Sequence, residues 1–175
     1  MSSKPRVVFG CAVALLIAGC GAPHLPASAP QQVTALGGPT LAGKVVSITS
    51  FHGHPVVLIF WASWCGPCHD EQRALNTAYA TWSPRGVVFL GIDLRDTTAP
   101  ALAFEREFNV PYPSIADTNA TLAVDYRIPS APALVFLNTQ GKVADVVLGG
   151  LGTMSVAAFN AEISTLLGTS KTGSA

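Results

Sequence analysis

The chain alternates short, nearly unbroken apolar runs with longer segments whose apolar residues recur at helical spacing. Residues 55–61 (Pro-Val-Val-Leu-Ile-Phe-Trp) form one such run, rich in β-branched and aromatic side chains, and predict a strand buried on both faces. Residues 86–93 predict a second, ending at Asp93. Between them, residues 68–79 lack Gly and Pro and carry Asp70 and Glu71 where a first helical turn is expected. This helix should end by Ser83-Pro84, and Pro67 suits its opening turn, where a missing N–H costs nothing. Residues 100–108 set Leu102, Phe104 and Phe108 among charges and predict a short amphipathic helix followed by a loop over 109–113. Residues 119–126 predict another helix, capped by Asp117 or Thr118. Apolar runs at 133–137 and 142–147 flank Asn138-Thr-Gln-Gly141 as a hairpin, and residues 153–167 place Val156, Phe159, Ile163 and Leu166 on one helical stripe. Upstream, residues 40–48 read as two short strands around a turn at Ala42-Gly43, with a loop over 51–55. Strands alternating with helices, then a hairpin and a closing helix, predict an α/β sandwich around a mixed sheet.

Composition changes this picture at one end. The 175 residues are 49% hydrophobic, but the first twenty hold a disproportionate share. Lys4 and Arg6 precede an apolar stretch over 7–18, then Gly19-Cys20: an export signal too short to span a bilayer. Its end, Leu16-Ile-Ala-Gly-Cys20, resembles the bacterial lipobox, which implies cleavage before Cys20, diacylation of its sulfur and attachment to a membrane surface. The expected organisation is therefore a signal peptide over 1–19, a lipidated, Pro-rich tether over 20–32 in which His24 is inert, a folded domain over 33–168 and a disordered tail over 169–175. Cleavage removes Cys11 and commits Cys20, leaving Cys65 and Cys68 as the thiols. It also leaves eight basic and ten acidic side chains, a formal charge of 8 − 10 = −2, with no basic run; nucleic acid is not an expected partner.

The chemistry concentrates in Trp64-Cys65-Gly66-Pro67-Cys68. Cys65 should stand just ahead of a helix, near free N–H groups and the positive end of the macrodipole. Both favour thiolate, so Cys65 is the expected nucleophile and Cys68 the resolving thiol in disulfide exchange.

Around this motif the chain resembles the thioredoxin fold, in its extracytoplasmic TlpA/ResA-like branch. Residues 41–56, 60–68, 91–113 and 126–142 carry the resemblance, matching an N-terminal hairpin extension, the redox motif, a central helix-and-strand insert and the segment with the family's cis-proline. It implies that Pro132, not Pro129, is cis, and that Ala131 and Pro132, with Trp64, receive a client strand. It also implies that Glu71 tunes the cysteines and moves protons. Three positions depart from the pattern. Ile59 stands where thioredoxins bury an aspartate, which leaves Glu71 or water as proton acceptor. Arg73 replaces a proline, so the first helix should be straighter. Ala133 replaces a threonine, removing a local hydrogen bond.

By that resemblance the protein is expected to be a monomeric enzyme without cofactor. It would reduce disulfides in exported proteins, apocytochrome c among the candidates, with electrons from a membrane donor. Two other readings stand beside this one. An oxidant of exported thiols would use the same centre and a membrane acceptor. Cys65-Gly-Pro-Cys68-His69 is also literally the attachment motif for c-type haem, with Met154, His52 or His54 as a second axial ligand. A structural metal held by the two cysteines and His52, His54 or His69 is weaker, because one CxxC supplies half a tetrahedron.

Overall fold

The computed structural model describes residues 37–168. A two-stranded hairpin, β1 (Gly37–Pro39) and β2 (Val45–Ser47), leads through a 3-10 turn at Ile48–Phe51 into β3 (Val56–Trp61). Helix α1 (Gly66–Trp82), β4 (Val88–Leu94), α2 (Thr98–Phe108), β5 (Ser114–Asp117) and α3 (Thr121–Asp125) follow. The chain closes with the hairpin β6 (Ala133–Leu137) and β7 (Val143–Leu148), a 3-10 turn at Gly150–Gly152, and α4 (Val156–Gly168).

The main sheet has the order β5-β4-β3-β6-β7. β3 and β4 run parallel, as do β4 and β5, whereas β6 is antiparallel to β3 and β7 to β6. All six residues of β3 are buried, as its unbroken apolar run requires of a central strand. The sheet's two faces support two cores: Val57, Ile59 and Trp61 point toward Cys65, Cys68 and helices α1, α2 and α4, while Val56, Leu58 and Phe60 meet α3 and the segment before β6. Trp82 Nε1 donates to Asn160 Oδ1 (2.7 Å), tying α1 to α4, and Asn76 Nδ2 donates to the Phe108 carbonyl (2.8 Å), tying α1 to the end of α2. Gly91 permits the closest strand approach, because a Cβ there would lie 2.8 Å from Trp61 Nε1.

The mixed α/β sandwich agrees with the pattern of the sequence, and so do β3, β4, α1 and the β6–β7 hairpin. Several boundaries differ. The first hairpin begins at Gly37, so Thr40 lies in its turn, with a bridge to Ile115 that docks the hairpin on β5. Helix α1 starts at Gly66, which places Asp70 and Glu71 one turn in and leaves the first turn without acids. Phe104 is the buried aromatic of α2, while Leu102 and Phe108 are half-buried. Strand β5 was hidden by its mixed polarity, Ser-Ile-Ala-Asp. Asp117 caps α3, its carboxylate accepting from the N–H groups of Leu122 (3.1 Å) and Ala123 (2.9 Å), although the helix itself starts only at Thr121. In α4, Val156 is 57% exposed and leaves the buried stripe to Phe159, Ile163 and Leu166.

Candidate active site

Strand β3 delivers the chain to a tight turn, in which the Cys65 N–H donates to the Ala62 carbonyl (3.1 Å), and α1 starts at once. Cys65 is the N-cap residue, and its Sγ accepts the Cys68 N–H at 3.2 Å. The two sulfurs are joined as a disulfide (S–S 1.99 Å, Cα–Cα 5.3 Å). The same Cys68 N–H also reaches the Cys65 carbonyl (3.0 Å), and N–H groups of a first helical turn favour thiolate over thiol at a sulfur so placed. Cys65 and Cys68 are both buried, whereas Trp64 is 55% exposed and stands beside them as an open apolar surface. Its indole N–H is directed at the Arg95 carbonyl, 3.4 Å away.

The Ala131–Pro132 peptide bond is cis. Ala131 packs against the apolar cluster that holds Cys65 and Cys68, and the Pro132 carbonyl accepts the Gly149 N–H (2.9 Å). Ile59 lies fully buried in that cluster, so β3 offers the dithiol an aliphatic side chain and no carboxylate. Helix α1 passes Arg73 without interruption.

Glu71 lies on α1 one turn beyond Cys68 and is 8% exposed. Its Oε2 accepts the Leu151 N–H at 2.7 Å, from the 3-10 turn after β7. Burial pushes its carboxyl up to about 7, against the opposing pull of the Leu151 and Gly152 N–H groups. Gly150 makes room for it: with φ +56° and a Cβ position 2.6 Å from Glu71 Oε1, no other residue fits without displacing the carboxyl. Beside Glu71 lies a cavity of about 330 Å³, bounded by Pro67, Asp70, Ala74, Leu151, Gly152 and Val156. A carboxyl pushed up toward neutrality thus lines an open cavity from the helix that bears the dithiol.

Sequence reasoning missed a second acidic group on the other side of the motif. Asp93 and Asp96 follow one another at the end of β4 and in the loop after it, both buried. Asp93 Oδ1 has no hydrogen-bond partner among the described residues. Burial first, then the carboxyls of Asp96, Glu105 and Asp117, push Asp93 up to about 7. Asp96 Oδ2 accepts the Ser63 N–H at 2.6 Å, directly before Trp64-Cys65. The available signal was an acid at the inner end of an otherwise apolar, two-sided buried strand. His69, which completes the literal CxxCH pattern, has its Nε2 2.8 Å from the Ser63 carbonyl and its ring against Phe104 and Phe108. His52 and His54 are exposed, and His54 Nδ1 lies 2.9 Å from the Gly86 carbonyl, in the turn before β4. Cys20, the export segment and the tether lie outside the described residues. Among the described residues no helix is long and apolar enough to cross a membrane.

Comparison with known proteins gives the same outline. A model of the AhpC/TSA family matches residues 29–146, more than half of the chain. A thiol-disulfide oxidoreductase ResA of Bacillus cereus is 26% identical over 109 residues, covering 62% of this chain and 63% of the relative. The match therefore spans less than two thirds of that relative's length. A structure of MTB DsbF in its mixed oxidized and reduced forms superposes with TM-score 0.68 at 28% identity, covering 75% of this chain and 94% of the other. A secreted Mycobacterium tuberculosis disulfide oxidoreductase homologous to E. coli DsbE superposes with TM-score 0.66 at 26% identity, covering 74% and 95%. The architecture is that of the thioredoxin-like proteins.

Proposed function

The chain belongs to the AhpC/TSA family, and on that premise we propose that it is a thiol-disulfide oxidoreductase that reduces disulfides in exported proteins. The observation that carries this reading is the Cys65–Cys68 disulfide at the N-terminus of α1, with Cys65 as the cap. The names of the relatives support it, and the departure at Ile59 gives Glu71 its part.

In the reduced protein the Cys65 thiolate attacks one sulfur of a client disulfide. A Cys65–client bond forms, the client's own S–S bond breaks, and the second client sulfur leaves as a thiolate. The Cys68 thiol then passes its proton to Glu71, directly or through water, and attacks the Cys65 sulfur. The Cys65–Cys68 disulfide forms and the first client sulfur leaves as a thiolate. Two electrons have moved from the enzyme dithiol to the client, and an external dithiol must restore the enzyme. Trp64, Ala131 and Pro132 would receive the client strand, Trp64 by apolar contact and the Ala131 backbone by strand pairing.

The lipobox resemblance at Cys20 supports a lipid-anchored, extracytoplasmic protein within reach of a membrane electron donor, and apocytochrome c is one client class that fits this address. The Gly66-Pro67 dipeptide, shared with reducing thioredoxins, supports the reducing direction. Trapping partners on Cys68→Ser in the native host tests the client assignment: cytochrome c precursors support it, and a broad set of secreted proteins favours a general exchange role. A reduction potential near the thioredoxin value of about −270 mV supports the reductant; one near about −120 mV overturns it in favour of an oxidant.

A further inference from the structure

Ser63 sits two residues before Cys65, and the peptide units on both of its sides are held by side chains from different elements. Its N–H donates to Asp96 Oδ2 at 2.6 Å, in the loop after β4. Its carbonyl lies 2.8 Å from His69 Nε2 on α1; a carbonyl can only accept, so that nitrogen carries the hydrogen. Neither holder is free to drift. Asp96 Oδ1 accepts the Thr97 N–H (2.7 Å) at the N-cap of α2, so one carboxylate fixes both the entry to α2 and the dithiol loop. The His69 ring is set edge-on against Phe104 (4.9 Å between centroids) and Phe108 (5.1 Å) of α2. The neighbouring Arg95 adopts φ +50°, a conformation that non-glycine residues rarely take, and points its carbonyl at the Trp64 indole. Ser63 and Trp64 are the central residues of the turn closed by the Cys65 N–H and the Ala62 carbonyl. Fixing Ser63 therefore fixes where the Cys65 sulfur meets the helix.

We propose that Ser63 is the point at which Asp96 and His69 clamp the dithiol loop, and that these two are positioning residues which favour closure of the Cys65–Cys68 disulfide. The clamp is made with the disulfide closed, so losing it leaves the loop freer and makes ring closure entropically costlier. Asp93 supports this arrangement from β4. Asp96, Glu105 and Asp117 all face its carboxyl, and a proton kept on Asp93 near neutrality spares Asp96 an adjacent like charge.

The inference rests on Cys65 and Cys68 acting as an exchanging pair, and the test separates the two ideas. The full domain is equilibrated against glutathione buffers, and the dithiol fraction is read by alkylation and mass. Asp96→Ala is expected to move the equilibrium about tenfold toward the dithiol, about 30 mV for this two-electron couple. Asp96→Asn, which keeps a carbonyl acceptor for the Ser63 N–H, should stay closer to wild type than to Asp96→Ala. His69→Ala should shift the equilibrium in the same direction as Asp96→Ala, and the double variant by less than the sum of the two. Folded Asp96→Ala and His69→Ala proteins with wild-type equilibria overturn the clamp, as does an Asn variant that shifts as far as Ala. Should Asp96→Ala not fold, His69→Ala against His69→Gln decides by the same comparison. A wild-type protein that does not equilibrate with glutathione at all overturns the exchange reading instead.

Discussion

Glu71 and Asp93 flank the same motif, and burial pushes both carboxyls up to about 7, yet their surroundings differ in kind. Glu71 accepts a backbone N–H from the turn after β7 and borders a cavity, so its ionised form has a partner and its proton has an exit. Asp93 keeps one unpartnered oxygen, faces three other carboxyls and shares a hydrogen bond with Asp96 that favours its protonated form, so its ionised form is disfavoured. A titration point near neutrality therefore does not define a role. What decides is whether the charged form has donors and where the group stands. Glu71 has backbone donors and stands on the helix that bears the dithiol, which suits the proposed proton transfer from Cys68. Asp93 has an oxygen without a donor and stands beside Asp96, which suits the proposed support of the loop.

The largest effect expected to separate the two sides is kinetic. Glu71→Gln should slow closure of the Cys65–Cys68 disulfide by about 10- to 100-fold near pH 7, as loss of a positioned proton acceptor does. Asp93→Asn should change that rate only slightly. Stopped-flow measurement of thiol loss on both variants checks this, and equal slowing would erase the distinction drawn between them.

A second contrast is structural. Gly150→Ala forces a Cβ into the space of the Glu71 carboxyl at a left-handed φ, and should cost about 1–3 kcal/mol of unfolding free energy in urea titration. Glu71→Gln should leave more of that stability intact. A fully stable Gly150→Ala would show that the turn does not hold the carboxyl in place.

The pH dependence of stability follows from the same pair. Both folded-state values lie above those of the unfolded chain, 4.5 for Glu71 and 3.8 for Asp93. Between those values and about 7 the folded protein holds protons that the unfolded chain has released, so stability falls as pH rises through that window. Each group should contribute roughly 1 kcal/mol after allowance for solvent screening, present at pH about 4 and lost by pH about 8. Thermal unfolding across this range should show a lower Tm at the alkaline end, and Asp93→Asn and Glu71→Gln should each flatten the slope. An unchanged slope in Asp93→Asn would contradict the raised titration of this buried carboxyl.

The smallest effect lies on the cavity rim. Val156→Ala removes an exposed side chain and should change stability by less than about 0.5 kcal/mol. Any sizeable change in exchange with an apolar client peptide would then come from the cavity beside Glu71.

Much of this was legible in the residues because strong local signals agreed with the tertiary context. The apolar run before the motif could be a central strand and little else, and Asn138-Thr-Gln-Gly141 between two strands reads as a hairpin turn. Pro132 needed the family resemblance, since no local property of an X-Pro bond selects the cis form. Strand β5 escaped because its order comes from pairing with β4 and from the docked first hairpin, not from its own composition. Asp93 and Asp96 escaped because a carboxylate at a strand end usually faces water, whereas both of these are buried by the tertiary fold. The place of His69 escaped for a related reason, since the CxxCH pattern says nothing of the Ser63 carbonyl 2.8 Å from its Nε2.

The proposed exchange depends on Cys65, the helix cap, being the activated sulfur. The most direct measurement is the rate at which each cysteine of the reduced wild-type protein is alkylated by iodoacetamide at pH 6, resolved by peptide mass. Cys65 is expected to react first and at least about tenfold faster than an unperturbed thiol, because its thiolate persists at that pH, while Cys68, which is not the helix cap, lags. Preferential modification of Cys68, or reaction of Cys65 at the rate of an ordinary thiol, would contradict it.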